Sequence, residues 1–256
     1  MEKKHRPIGF LDSGVGGISV LREAIKLLPN ENYIYYGDSK NAPYGTKSVE
    51  EVKKLTISVV DILLAKGAKA VVVACNTATS AAITELRKSY TDVPIIGIEP
   101  ALKPAVELNR EGNIIIMATP MTLAESKFNN LMKKYGARSQ IVPLPCPGLV
   151  ELIENGELEG DEINNYLADK LSQFLSDKIA AIVLGCTHYP FIRTEISKIA
   201  DGVPIIEGSL GTIKQLNRQL LSAGLINDST EKGTIEIINS LEDYKIIDLS
   251  NKLLRL

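Results

Sequence analysis

The chain has 256 residues, 45% hydrophobic and 23% charged, an ordinary globular composition that excludes a disordered or fibrous protein. Its 29 basic and 31 acidic residues leave a net charge of −2 and are interspersed, so it carries no electrostatic footprint for nucleic acid or an anionic membrane. No apolar run approaches the roughly 20 residues that span a bilayer, and the basic opening MEKKHRPIGFLDSG has no apolar stretch behind it, so a cytoplasmic protein is expected.

In chain order, short β-branched runs alternate with amphipathic stretches. RPIGFLD leads through a glycine turn into a helix over ISVLREAIKLLP, and ENYIYYGD is a second strand. After the loop KNAPYGTKS comes a helix over VEEVKKLTISVVDILLAKG, with Ser48 placed to cap it and Gly67 just past its end. The strand AKAVVVAC, the helix TATSAAITELRKSY and the strand VPIIGI follow. This alternation predicts parallel strands joined by crossover helices, an α/β fold.

The second half repeats the first. GNIIIMATPMT stands where PIGFLDSG stood, AAIVLGCTH answers AVVVACNT, and DGVPIIEGS answers DVPIIGIEP at nearly the same distance after the cysteine. Two similar lobes with mostly parallel sheets flanked by helices are therefore expected, with the active site in the cleft between them. Residues 1–97 and 208–256 form the first lobe and 98–207 the second.

Ligands of open parallel sheets sit beyond the carboxyl ends of the strands, where Cys75 and Cys186 both fall. Each also lies at or just before an expected helix N-terminus, which favours a thiolate, and Pro190 suits the first turn of the second helix. Cys146, in PLPCPGL, has no counterpart in the repeat and is read as a small buried hydrophobe. The three cysteines have neither the spacing of a zinc site nor that of a disulfide framework, so free thiols and no metal are expected.

Other uses of these residues are a redox pair, which lacks a neighbouring resolving thiol, and a cysteine nucleophile served by His188, which leaves Cys75 idle. Two thiols of one chemical type instead suit inversion of a stereocentre, one removing a proton and the other delivering one. An unperturbed thiol pKa of about 8.5 puts both protonation states within reach. The turn GFLDSGVGGIS satisfies only part of a dinucleotide fingerprint, since Ser19 stands at the last glycine and Asp38 alone resembles a ribose-binding acid. The same turn can hold a carboxylate on its amides while Asp12 meets an ammonium group, orients a thiol or caps the helix.

Together LDSGVGGISVLREA, YYGDSKNAPYGTKS, ACNTATSAA, GIEPALKPA, ATPMT and LGCTHYP resemble the glutamate racemases of the aspartate/glutamate racemase superfamily, across almost the whole chain. The resemblance implies a cofactor-independent isomerase that interconverts L- and D-glutamate for peptidoglycan synthesis, with Cys75 and Cys186 as the acid/base pair. Asp12 would assist Cys75 and His188 would assist Cys186. Ser13, Pro43, Tyr44, Gly45, Asn76, Thr77 and Thr187 would bind substrate, and Asp38, Glu154, Thr119 and Thr122 would be auxiliary. IIEGSLGT departs from the family, whose usual Asp-Ser pair is replaced by Glu207, Gly208 and Ser209. The expected partner is a small amino acid, with no nucleic acid and no membrane, and a homodimer is among the assemblies allowed. The alternatives are an aspartate racemase and a non-catalytic amino-acid-binding sensor.

Overall fold

The computed structural model describes residues 2–124, 126–136, 140–174 and 177–256. They form two compact units, Met1–Ile98 with Ser209–Leu256, and Glu99–Gly208. Both are mixed α/β, as expected, and every strand pairing is parallel.

The first unit begins with β1 (Ile8–Asp12), α1 (Ile18–Leu27), β2 (Tyr33–Gly37), α2 (Val49–Ala65), β3 (Ala70–Val73), α3 (Asn76–Ser89) and β4 (Ile95–Gly97). β1 and β3 are wholly buried, the pattern of strands covered on both faces. Ser48 caps α2 through its oxygen, which accepts the Glu51 amide at 3.3 Å, and Glu50 and Glu51 place acid at the positive end of that helix. Gly67, at φ 87°, turns the chain back toward β3.

The second unit holds α4 (Leu102–Glu107), β5 (Asn113–Ala118), α5 (Pro120–Ala124), α6 (Ser126–Gly136), β6 (Ile141–Pro145), α7 (Leu149–Glu154), α8 (Asp161–Ser172), β7 (Ile179–Leu184), α9 (Arg193–Ile199) and β8 (Ile205–Glu207). Along β5 the pleat sends alternate side chains to opposite faces. Ile115 and Met117 pack with Leu149, Ile163, Leu167 and Ile196, while Ile114, Ile116 and Ala118 pack with Leu102, Ala105 and Phe128. The chain then re-enters the first unit through α10 (Ser209–Ser222), β9 (Ile235–Asn239) and α11 (Tyr244–Arg255), with β9 as an edge strand beside β2.

Strand order shows the duplication directly. The first sheet reads β4-β3-β1-β2-β9 and the second β6-β5-β7-β8, so both contain the path second-first-third-fourth strand. In each, the chain steps to one side of the central strand and then to the other. That switch point opens a crevice at the carboxyl ends of β1 and β3 in one unit, and of β5 and β7 in the other.

Candidate active site

One hydrogen-bond pattern sets both cysteines. The Ala74 amide donates to Leu11 O at 2.8 Å, and the Gly185 amide donates to Met117 O at 2.7 Å. Each bond stitches the residue before the cysteine to the penultimate residue of the central strand, delivering Cys75 and Cys186 to the two switch points. Both thiols are buried, at 5% and 8% exposure.

In the first unit Cys75 is the N-cap of α3, and its Sγ accepts the Ala78 amide at 3.4 Å. Sulfur replaces the usual hydroxyl or carboxylate of a cap, at the end of the helix where negative charge is favoured. Cys75 Sγ also lies 3.7 Å from Ser13 Oγ. The turn that carries Ser13 is held at both polar backbone groups of Gly14: Gly14 N donates to Asp12 Oδ1 at 2.9 Å, and Tyr35 OH donates to Gly14 O at 2.7 Å. Asp12 does not cap α1, whose N-cap is Gly17. A Cβ at Gly17 would stand 2.8 Å from Asp12 Cβ, so the glycine lets the turn close over that carboxylate.

Asp38 follows β2, is buried, and its amide donates to Asp12 O at 2.9 Å. Its carboxylate accepts from Tyr44 OH at 2.7 Å and from Asn41 Nδ2. Burial first, and then this bond to Asp38, hold the Tyr44 phenol far above its ordinary pKa, so it remains a donor. Pro43 and Gly45 flank Tyr44 on the short turn Tyr44–Thr46, which packs against α3. Asn76 and Thr77 open α3 and are buried. Among the described residues, buried Asn76 Oδ1 has no hydrogen-bond partner.

In the second unit the expected helix start after Cys186 is instead a single 3-10 turn, Tyr189–Ile192, with His188 as its N-cap and Pro190 in its first positions; α9 begins only at Arg193. This departs from the sequence expectation of a helix N-terminus at the second thiol. Cys186 is placed beside an imidazole, with its Sγ 3.6 Å from His188 Nδ1, while His188 Nε2 donates to Glu154 Oε1 at 2.6 Å. Burial works against charging the ring, yet the bonds to Cys186 and Glu154 outweigh it and raise its pKa well above 6.5. Thr187, Thr119 and Thr122 are buried, and Thr119 Oγ1 lies 2.9 Å from Thr122 Oγ1 and accepts the Thr122 amide at the start of α5.

Cys146 does have a counterpart, contrary to the sequence reading. Its amide donates to Ala118 O at 3.0 Å, as the Asp38 amide does to Asp12 O, so Cys146 occupies after β6 the place of Asp38 after β2. Its thiol is nevertheless held in the neutral form: burial pushes it up to about 12, and Sγ donates to Leu144 O. Among the described residues no cluster of three or more His, Cys, Asp and Glu could hold a metal, and no helix is long and apolar enough to cross a membrane.

The family model for Asp/Glu/hydantoin racemases matches residues 13–216, which contain both cysteines and the residues named around them except Leu11 and Asp12. The chain belongs to that family. It is similar to the glutamate racemase of Clostridium acetobutylicum, 64% identical over 256 residues and the full length of both chains. Among solved structures it is similar to the glutamate racemase of Francisella tularensis in complex with D-glutamate, at 30% identity and TM-score 0.86 over 99% of this chain and 95% of that one. It is equally similar in sequence to the RacE1 isoform from Bacillus anthracis, at 30% identity and TM-score 0.89 over the same shares. As a family member the chain is an isomerase, the enzyme class expected from its motifs.

Sequence reasoning about this racemase-family chain missed Tyr35, Gly17 and Gly185. Tyr35 lies in YIYYG, where burial on both faces of the strand removes any alternation that could mark one tyrosine as special. The glycines carried a signal, each standing two residues or fewer from a named turn or thiol, but only the close approaches show what they admit.

Proposed function

We propose that the protein interconverts L- and D-glutamate without a cofactor, using Cys75 and Cys186 as alternating base and acid, and so supplies D-glutamate for peptidoglycan in the cytoplasm. The observation that carries this reading is the equivalent placement of two buried thiols at the two strand-order switch points. The full-length similarity to named glutamate racemases supports the substrate.

Inversion at one carbon needs a thiolate on one face of the α-carbon and a thiol on the other, with the roles exchanged for the reverse reaction. At Cys75 the helix N-terminus supports the anionic form, and Ser13 Oγ, which accepts from the neutral thiol, turns its own hydroxyl hydrogen to the thiolate once the proton leaves; at Cys186 the imidazolium of His188, itself held by Glu154, supports the anion. Asp12 holds the turn beside Cys75. The unpartnered Asn76 Oδ1 suits an ammonium donor, and Ser13, Pro43, Tyr44, Gly45, Thr77 and Thr187 supply hydroxyls and backbone groups for the carboxylates. Asp38 fixes Tyr44, while Thr119 and Thr122 shape the end of β5.

The test is incubation with L-glutamate in deuterated water after dialysis against a chelator, with chiral and mass analysis. D-Glutamate carrying deuterium at the α-carbon is expected without added pyridoxal phosphate or metal. Exchange only with aspartate would point to an aspartate racemase, and no exchange with either to an amino-acid-binding sensor.

A further inference from the structure

We propose that Tyr35 is a positioning residue for Cys75, acting through the Gly14 carbonyl on the turn that carries Ser13; the inference rests on reading Cys75 as an acid/base thiol. Tyr35 is 1% exposed, and its hydroxyl donates to Gly14 O at 2.7 Å from the strand next to β1. The N–H of the same residue donates to Asp12 Oδ1 at 2.9 Å. Gly14 is thus gripped at both of its polar groups, one by the carboxylate two residues before it and one by a phenol from β2. The surroundings leave it little room. A Cβ at Gly37 would come 2.5 Å from Gly14 O, and one at Gly17 would come 3.1 Å from Tyr35 Cε2 and 2.8 Å from Asp12 Cβ.

Ser13 directly precedes the clamped Gly14, and its hydroxyl lies 3.7 Å from Cys75 Sγ. The Ser13–Gly14 peptide can rotate only if the Asp12 bond breaks, and the Gly14–Val15 peptide that follows only if the Tyr35 bond does. The phenol, together with Asp12, therefore fixes the turn that aims the Ser13 hydroxyl, and a thiolate that keeps a hydroxyl donor is held more stably than one that loses it.

The experiment is Tyr35→Phe, which keeps the ring and removes the hydroxyl, with alkylation of Cys75 and Cys186 by iodoacetamide followed by peptide mass spectrometry across pH. The expected result is an upward shift of the Cys75 midpoint by about half a pH unit or more, with the Cys186 midpoint unchanged. A fall in kcat of about tenfold in both directions, with KM little altered, should accompany it. Unchanged reactivity at Cys75, or equal shifts at both thiols, would overturn the proposal, because the second outcome signals general loosening. The two thiols are compared within one molecule, so a destabilised variant still gives a decisive ratio. If the wild type fails to racemise glutamate while Tyr35→Phe still shifts Cys75 alone, the positioning role stands and the substrate reading falls.

Discussion

Cys186 and His188 face each other at 3.6 Å, Sγ to Nδ1, and the far nitrogen of the same imidazole donates to Glu154. The ring is buried, which disfavours its charged form, but its two partners prevail and raise its pKa well above 6.5. A histidine held this way contributes stability that is complete below pH 6.5 and disappears as pH rises through the raised folded value. The chain has only two histidines, so His5→Asn assigns the ring resonances. NMR titration should show His188 protonated well above pH 6.5, with Glu154→Gln moving it down. The melting-temperature difference between wild type and His188→Asn should be largest at low pH and shrink above neutrality. A His188 midpoint at or below 6.5 would sink this account of the pair.

The repeat was legible because its two copies share strand endings and spacing, and the parallel α/β class followed from the alternation of runs. The place of Cys146 was not. β6 reads IVPLP, with prolines at 143 and 145 and only Leu144 fully buried, as an edge strand allows but a core-strand pattern does not. β9 was missed for the same reason, since its first two residues are exposed. The turn after Cys186 could not be told from a helix start because Pro190 suits the first positions of either. Of the candidate site, residue types and strand ends were readable. The Tyr35 and Glu154 bonds depend on how separate elements meet, which no local pattern encodes.

Gly185 leaves little room for a side chain. A Cβ there would lie 3.0 Å from both Ala118 Cβ and Met117 O, and the latter is backbone that the 185 amide already binds. Gly185→Ala should therefore press on β5 and displace the backbone just before Cys186 by a few tenths of an ångström. We expect a loss of about 1–3 kcal/mol in urea unfolding, with racemisation reduced in both directions. An alanine variant with wild-type turnover would show that this approach does not set the second thiol.

At the opposite end of the first sheet, the buried Lys69 ammonium pairs with Glu31 and also donates to Lys4 O, while Glu31 Oε1 accepts the Asn227 amide at 2.8 Å. This cluster ties the N-terminus, β2, β3 and the returning C-terminal segment together. Burial lowers the Lys69 pKa despite the carboxylate, so the pair stands because both members are present. Lys69→Met and Glu31→Gln should each cost about 3–5 kcal/mol by stranding the partner. Urea denaturation showing under about 1 kcal/mol for both would argue that water reaches the cluster.

The last prediction separates the three thiols. Each turnover uses one cysteine as base and the other as acid, so Cys75→Ser and Cys186→Ser should each lower racemisation in both directions by about 10²–10⁴-fold. The two variants should still differ. A surviving thiolate can abstract the α-proton from the enantiomer presented to it, which is readable as stereospecific exchange, or as elimination from a glutamate analogue with a β-leaving group. Cys75 draws on a helix N-terminus and Cys186 on an imidazole, so the residual rates need not match, but the processed enantiomer should switch between variants. Cys146→Ser is the control. Its thiol is buried, pushed up to about 12 and bonded to Leu144 O, a bond a serine hydroxyl can also make, so turnover should stay within about threefold of wild type. Both cysteine variants acting on the same enantiomer, or Cys146→Ser being the inactive one, would show that the duplicated strand ends do not carry a two-thiol mechanism.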